Sequence, residues 1–184
     1  MKFLIITGSP KKDGLCFSVM KEIERGAADG GVEVSIINAN GIEKCKCCEE
    51  GWGECLKNNC TFGEKDGFNE ARDAFINADA ICLITPVYWG ETAEGLKAFI
   101  DRMRRCEFTN KQLEQKQIML VAVPGGSGNG ALPCLEQMDR FCRHVGVMPF
   151  DYIGINRWNS DYKKAAAYSA AKVMAEGRKV NDTV

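Results

Sequence analysis

Five cysteines crowd one polar stretch, Cys45-Lys46-Cys47-Cys48-Glu49-Glu50-Gly51-Trp52-Gly53-Glu54-Cys55-Leu56-Lys57-Asn58-Asn59-Cys60. Four thiolates in so compact a segment satisfy either a [4Fe–4S] cluster or tetrahedral zinc, since both are held by four cysteine sulfurs. Free thiols, a redox disulfide and zinc that only orders the loop are the other chemistries open to the same residues. The remaining cysteines, Cys16, Cys82, Cys106, Cys134 and Cys142, sit in apolar or helical patterns, where cysteine behaves as a small hydrophobe.

Three further loops carry residues suited to binding. The first is Thr7-Gly8-Ser9-Pro10-Lys11-Lys12-Asp13-Gly14-Leu15-Cys16-Phe17-Ser18. It reads as a strand-to-helix turn, whose orphan amides and helix dipole both favour an anion. Ser9 adds a hydroxyl, and Lys11 or Lys12 adds charge. The spacing is neither a Walker A sequence nor G-x-G-x-x-G, which argues against ATP and against a nicotinamide Rossmann site. The second loop, Thr85-Pro86-Val87-Tyr88-Trp89-Gly90, offers two aromatics to a flat ring. The third, Pro124-Gly125-Gly126-Ser127-Gly128-Asn129-Gly130, offers backbone amides uncluttered by side chains. Any one of these is compatible with an ordinary turn; chance placement of all three is not the better reading.

The elements that must position these loops follow from periodicity. Apolar runs at 3–7, 32–37, 80–85, 117–123 and 150–155 alternate with amphipathic segments, the pattern of parallel strands joined by crossover helices. Helix one is expected over about 16–28, ending at Gly30-Gly31. A later helix buries Leu96, Phe99, Ile100 and Met103, leaving Lys97, Asp101, Arg102 and Arg105 largely outside. The next buries Leu135, Met138, Cys142 and Val145 and stops at Gly146. The last, about 161–177, buries mainly alanine, which calls for a close neighbour or a second subunit. Segment 40–66 is long and irregular, the mark of a functional loop or one ordered by what it binds. All three binding loops fall at carboxyl ends of strands, where open α/β sheets bind ligands at a reversal of strand order.

The Gly8-Ser9-Pro10 turn, the Pro86-Val87-Tyr88-Trp89-Gly90 loop followed by Leu96-Lys97-Ala98-Phe99-Ile100-Asp101-Arg102, and the Gly125-Gly126 loop together resemble the NADPH-dependent FMN reductase group of flavodoxin-like proteins, which includes the iron-sulfur flavoproteins. The resemblance implies a three-layer flavodoxin-like sandwich with a five-stranded parallel sheet in order 2-1-3-4-5, formed by residues 1–184 as one domain with a cysteine-rich loop at 41–66. It implies that Ser9, Pro10, Lys11, Gly14, Leu15, Cys16 and Ser18 hold the FMN phosphate, that Pro86, Val87, Tyr88, Trp89 and Gly90 flank the ring, and that Gly125, Gly126 and Ser127 close the other side. Where relatives carry a small polar pair such as Asn-Thr or Asn-Ser, this chain has Leu15-Cys16, which removes good phosphate donors and predicts weaker FMN affinity.

The same resemblance favours [4Fe–4S] over zinc, because cluster-bearing relatives place cysteines in this loop. Its implied ligands are Cys45, Cys48, Cys55 and Cys60. The first interval matches the relatives' motif, but the second holds six residues instead of two, and Cys47 is spare or an alternative ligand. The implied activity is an FMN oxidoreductase passing electrons from NAD(P)H or a reduced carrier to a small-molecule or protein acceptor. No side-chain acid or base is assigned. An iron-sulfur flavoprotein acting as an electron carrier, and a flavodoxin-like binding protein that has lost FMN, are the alternatives. Homodimers or homotetramers with flavin sites near an interface are also implied.

At 184 residues with 45% apolar content, the chain has ample material for one core. A net charge of -1 with scattered Lys and Arg leaves no footprint for nucleic acid or an anionic membrane. The apolar run Phe3-Leu4-Ile5-Ile6 ends too promptly for a signal peptide, and no run approaches a membrane span, so the expected location is cytoplasmic. His144, the single histidine, is assigned a structural role near a helix end. Trp158 is read as strand-end packing, a subunit contact or part of a pocket, and Asp161 as a cap of the last helix.

Overall fold

In the computed structural model, which describes residues 1–48, 55, 60–104 and 112–178, strands and helices alternate as the apolar periodicity predicts. The strands are β1 (Lys2–Thr7), β2 (Glu33–Asn38), β3 (Ala80–Tyr88), β4 (Glu91–Thr92), β5 (Gln117–Val123) and β6 (Met148–Gly154). The helices are α1 (Gly14–Asp29), α2 (Phe68–Asn77), α3 (Glu94–Arg102), α4 (Ala131–Val145) and α5 (Ser160–Ala175), with one 3-10 turn at Ala39–Gly41. Five strands pair in parallel in the order β2-β1-β3-β5-β6. The expected order 2-1-3-4-5 therefore needs one correction, because a two-residue antiparallel strand, β4, pairs with the end of β3. Two residues are too few to leave a periodic signal. Cys106 and Arg105 lie outside the described residues.

Alternation along the strands divides the core between the two faces of the sheet. Leu4, Ile6, Ile81, Leu83, Ile118 and Leu120 face α2, α3 and α4, where Phe68, Phe75 and Phe99 pack with tilted rings. Phe3, Ile5, Cys82, Ile84, Met119 and Val121 face α1 and α5. On that side the alanine-rich face of α5 has its close neighbour within the chain. Ala167, Ala171 and Ala175 are buried against α1, and Gly26 and Gly30 let the two backbones approach. A Cβ on Gly30 would lie 2.6 Å from that of Ala175.

Strand β3 runs three residues further than its apolar run suggested. Pro86 has no N–H to give, yet it is tolerated because pairing with β1 has already ended at Ile84, whose carbonyl accepts the Gly8 amide at 2.9 Å. Helix α4 stops where expected: Gly146 lies at φ +80° and its amide bonds the carbonyl of Cys142 at 2.9 Å. A side chain there is strained, so Gly146→Ala is expected to cost about 1 kcal/mol in a denaturant titration without affecting ligand binding. Asp161 does not cap α5; it sits in the first turn, behind the N-cap residue Asn159, and makes no capping bond. No helix among the described residues is long and apolar enough to cross a membrane.

Candidate functional site

The three loops singled out by sequence converge on one rim at the carboxyl ends of β1, β3 and β5. Gly8 packs so closely that a Cβ there would meet Leu96 Cβ at 2.9 Å and Thr85 Oγ1 at 3.1 Å, locking the first loop to the second. Gly130 packs on the second loop from the other side, where a Cβ would meet Val87 Cγ1 at 2.8 Å and the Gly90 Cα at 3.1 Å. The reversal of strand order lies between β1 and β3, beneath this rim.

In the first loop, Ser9 is buried and bonded at every turn. Its amide donates to Thr7 Oγ1 at 3.1 Å, its hydroxyl accepts from the Lys11 amide at 3.3 Å, and its carbonyl accepts from Asn38 Nδ2 at 3.2 Å. Pro10, Lys11 and Gly14 are exposed, Gly14 at φ +84°. Helix α1 begins at Gly14 with no side-chain cap, so its first amides are left for another acceptor. The same loop borders a cavity of about 110 Å³ lined by Ser9, Lys11, Lys12 and Asn38 among others. The side chains of Leu15, Cys16 and Ser18 are committed elsewhere. Leu15 packs on the core and the Ser18 hydroxyl donates to the Leu15 carbonyl at 3.0 Å. Burial pushes the Cys16 thiol up to about 11, against hydrogen bonds with Ser9 and Thr7. What Leu15 and Cys16 present to an anion is backbone.

The second loop is a tight hairpin. Val87 pairs with Thr92 and Tyr88 with Glu91, leaving Trp89 and Gly90 as a two-residue turn with φ of +55° and +81°. Positive φ at both positions is the signature of a type I′ turn, where asparagine, not tryptophan, is favoured first. Trp89 is fully exposed at 103%, Tyr88 is half exposed, and Pro86 and Val87 are partly buried. Beneath them Thr85, wholly buried, donates to the Pro86 carbonyl at 2.8 Å and accepts from the Ala93 amide at 3.0 Å, tying the hairpin to the start of α3. In the third loop Gly125, Gly126 and Ser127 are exposed, and a Cβ on either glycine would enter open space. The rim therefore contains the features a phosphorylated flat ring requires: uncapped amides, flanking aromatics and a bare backbone wall. The residues present fit FMN.

The cysteine stretch also gathers. Cys45, Cys48, Cys55 and Cys60 line one cavity of about 240 Å³, with Glu43, Lys44, Lys46, Lys65, Asp66, Arg102 and Arg104 around it. Cys47 does not; at φ +51° it turns outward and is exposed. Among the described residues, no three Cys, His, Asp or Glu side chains are close enough together to clasp a single ion. Four cysteines on a shared cavity are the donor set that either a zinc ion or a [4Fe–4S] cluster would use. By contrast Cys82, Cys134 and Cys142 are wholly buried and their thiols are raised by burial, which keeps them inert.

Arg102 corrects the sequence reading most sharply. Expected on the outer side of α3, it is 6% exposed. It stacks on the Phe68 ring at 4.1 Å, pairs with half-buried Asp66, donates to the Glu43 carbonyl at 3.0 Å and reaches Cys60 Sγ at 3.3 Å. Burial raises the Asp66 carboxyl, but Arg102 and the amides of Glu43 and Phe68 outweigh it and hold the group below its ordinary range. Arg104, Asn38 and Thr85 were likewise not singled out by sequence. Trp158 is not strand-end packing; it is 72% exposed, with the Arg157 guanidinium 4.7 Å from its ring.

Comparison with known proteins agrees with this geometry. The family model of NADPH-dependent FMN reductase matches residues 1–160. The chain is 27% identical to an iron-sulfur flavoprotein of Archaeoglobus fulgidus over 193 aligned positions, covering 96% of this chain and 92% of that protein. It is 31% identical to the iron-sulfur flavoprotein of Methanosarcina thermophila over 71% of this chain and 66% of the relative. Among solved structures, the NAD(P)H:quinone oxidoreductase of Methanothermobacter marburgensis superposes with a TM-score of 0.72 at 15% identity, covering 95% and 96% of the two chains. An archaeal flavodoxin gives 0.65 at 14% identity over 96% and 98%. With a phosphate-type turn, an aromatic hairpin and a glycine wall on a shared rim, and a family match over most of its length, the chain belongs to the NADPH-dependent FMN reductase family.

Proposed function

We propose that the chain is an FMN-dependent oxidoreductase that takes electrons from NAD(P)H or a reduced carrier and passes them to a small-molecule or protein acceptor. The observation that carries this reading is the convergence of the three loops at the β1/β3 reversal. Bound FMN supplies the two-electron and one-electron chemistry. The chain's residues bind and orient. The amides of Gly14, Leu15 and Cys16, with Ser9 and Lys11, take the phosphate; Pro86 to Gly90 border one face of the ring and Gly125 to Ser127 the other. Asn38 and Thr85 keep the first two loops in place. No side chain is assigned a proton-transfer role.

The iron-sulfur carrier is the second reading, favoured by the four cysteines on one cavity. Cys45, Cys48, Cys55 and Cys60 would hold a [4Fe–4S] cluster. Cys45 also lines a cleft of about 330 Å³ that reaches Tyr88 on the ring hairpin, so the two cofactor sites would adjoin. A homodimer or homotetramer suits the exposed Trp89, Leu132, Trp158 and Tyr162, which all follow carboxyl ends of strands. A cytoplasmic setting suits free thiols at the described cysteines.

Protein purified without oxygen is expected to show the near-ultraviolet and blue absorption bands of a flavin, with a broad visible shoulder where the cluster is loaded, and to oxidise NADH or NADPH with a quinone or ferricyanide. Flavin reduced by a ferredoxin but never by nicotinamide would make the chain a carrier. Colourless protein that rejects added FMN would leave a flavodoxin-like binding protein. Trp89 offers a finer check. Trp89→Asn is expected to raise stability by up to about 1 kcal/mol by relieving left-handed backbone strain. It should also weaken FMN about fivefold through the loss of ~1 kcal/mol of ring contact, as thermal unfolding and flavin titration would register.

A further inference from the structure

Two guanidinium groups converge on the sulfurs of the cysteine cavity from the end of α3. Arg102 Nη2 lies 3.3 Å from Cys60 Sγ, and Arg104 Nη2 lies 3.6 Å from Cys45 Sγ. The Cys47 amide donates to the same Cys45 sulfur at 3.4 Å. Arg102 is held rigidly: it is buried, stacked on Phe68 and paired with Asp66. Among the described residues its Nε has no hydrogen-bond partner, and it is sealed from solvent, an arrangement that costs stability. A buried cation with one idle donor beside a thiol cavity is poorly explained by fold stability, since a hydrophobic residue would pack there at no such cost. Among the described residues the cavity lining carries five cationic side chains, Lys44, Lys46, Lys65, Arg102 and Arg104, against two acidic ones, Glu43 and Asp66.

That charge pattern matches an anionic occupant. A cluster on four thiolates is anionic and becomes more negative by one unit when it accepts an electron; no bond is made or broken in that step. Hydrogen bonds to the sulfurs and nearby positive charge stabilise the reduced form more than the oxidised one, which raises the reduction potential. We propose that Arg102 and Arg104 are the positioning residues of this centre, holding the sulfurs of Cys60 and Cys45 and setting the cluster potential upward. The proposal rests on the cluster reading above. Arg102 acts from a fixed, buried pose, whereas Arg104, half-buried on the cavity wall, can be altered without removing the Asp66 ion pair.

The test is an anaerobic redox titration of protein reconstituted with ferrous iron, sulfide and FMN, using dithionite as reductant and following paramagnetic resonance and visible bleaching. Arg104→Gln is expected to keep its cluster but bind the electron about tenfold more weakly, a shift of ~59 mV to more negative potential. Arg104→Lys keeps the charge and should recover most of that shift. Arg102→Lys keeps the Asp66 pair, loses the second arm to Cys60 and should shift in the same direction by less. The flavin potential in the same titration should stay constant, marking the effect as local. Loaded wild-type and Arg104→Gln proteins with equal cluster potentials would overturn the proposal while leaving the cluster reading intact. Wild-type protein that takes up no iron and sulfide would overturn both.

Discussion

Gly26→Ala is expected to be among the most damaging single-methyl substitutions in this protein. Its added Cβ would run into the Tyr168 carbonyl, a backbone atom of α5 that no side-chain rotation can move aside. The two helices would have to separate along the face where Ala167, Ala171 and Ala175 are buried. They would also strain the contacts that flank it, the Arg25 guanidinium 4.2 Å from the Tyr168 ring and the Tyr168 hydroxyl donating to Asp29 at 2.7 Å. Overpacking of this kind costs about 1–3 kcal/mol, and the backbone clash puts this case near ~3 kcal/mol. For a chain of this length that lowers Tm by about 6–12 °C. Gly41→Ala is the matched control, because its Cβ would meet nothing within 4 Å; it should lie within about 0.5 kcal/mol of wild type. Calorimetry on the two variants checks both numbers.

The second large effect should appear in binding and not in stability. Gly126 also has open space where a Cβ would go, and its backbone is not left-handed. Gly126→Val is therefore expected to leave the FMN-free protein within about 0.5 kcal/mol of wild type. The space it fills is the proposed wall of the ring site. FMN affinity should fall about a hundredfold, close to 2.8 kcal/mol, since the isopropyl group occupies the ring's position and shields the loop amides. A flavin fluorescence titration beside a denaturant melt separates the two quantities. A variant that lost stability and binding together would point to a structural role for the loop.

How much of this was legible in the sequence depends on what each feature needed for its signal. Five parallel strands were readable because buried strands are continuous apolar runs, and the ends of α1 and α4 because glycines mark them. The three rim loops were readable because strand-to-helix turns that leave backbone exposed need Gly, Ser and Pro, and those residues are visible one at a time. Other features were hidden. The end of β3 lies beyond its apolar run and contains Pro86, and only the finished pairing explains why the missing N–H there does no harm. Arg102 was placed on the outer side of α3 because a charge on an amphipathic helix ordinarily faces water. Its burial depends on Asp66, Phe68 and Cys60, which lie 34 or more residues away in the chain. Asn38 and Thr85 are ordinary strand-end residues until the tertiary structure brings Ser9 and Ala93 against them. The choice of Cys45, Cys48, Cys55 and Cys60 over Cys47 rests on resemblance, because spacing alone does not say which thiols of a crowded stretch share a cavity.

The rim is the premise on which the redox reading rests, and a crystal structure of the protein grown with saturating FMN examines it without intermediaries. The account predicts the phosphate at the amides that open α1, within reach of Ser9, and the ring system between the Tyr88-Trp89-Gly90 hairpin and the Gly125-Gly126-Ser127 loop. Density for FMN anywhere else, or a rim that stays empty at concentrations that saturate family members, would contradict it.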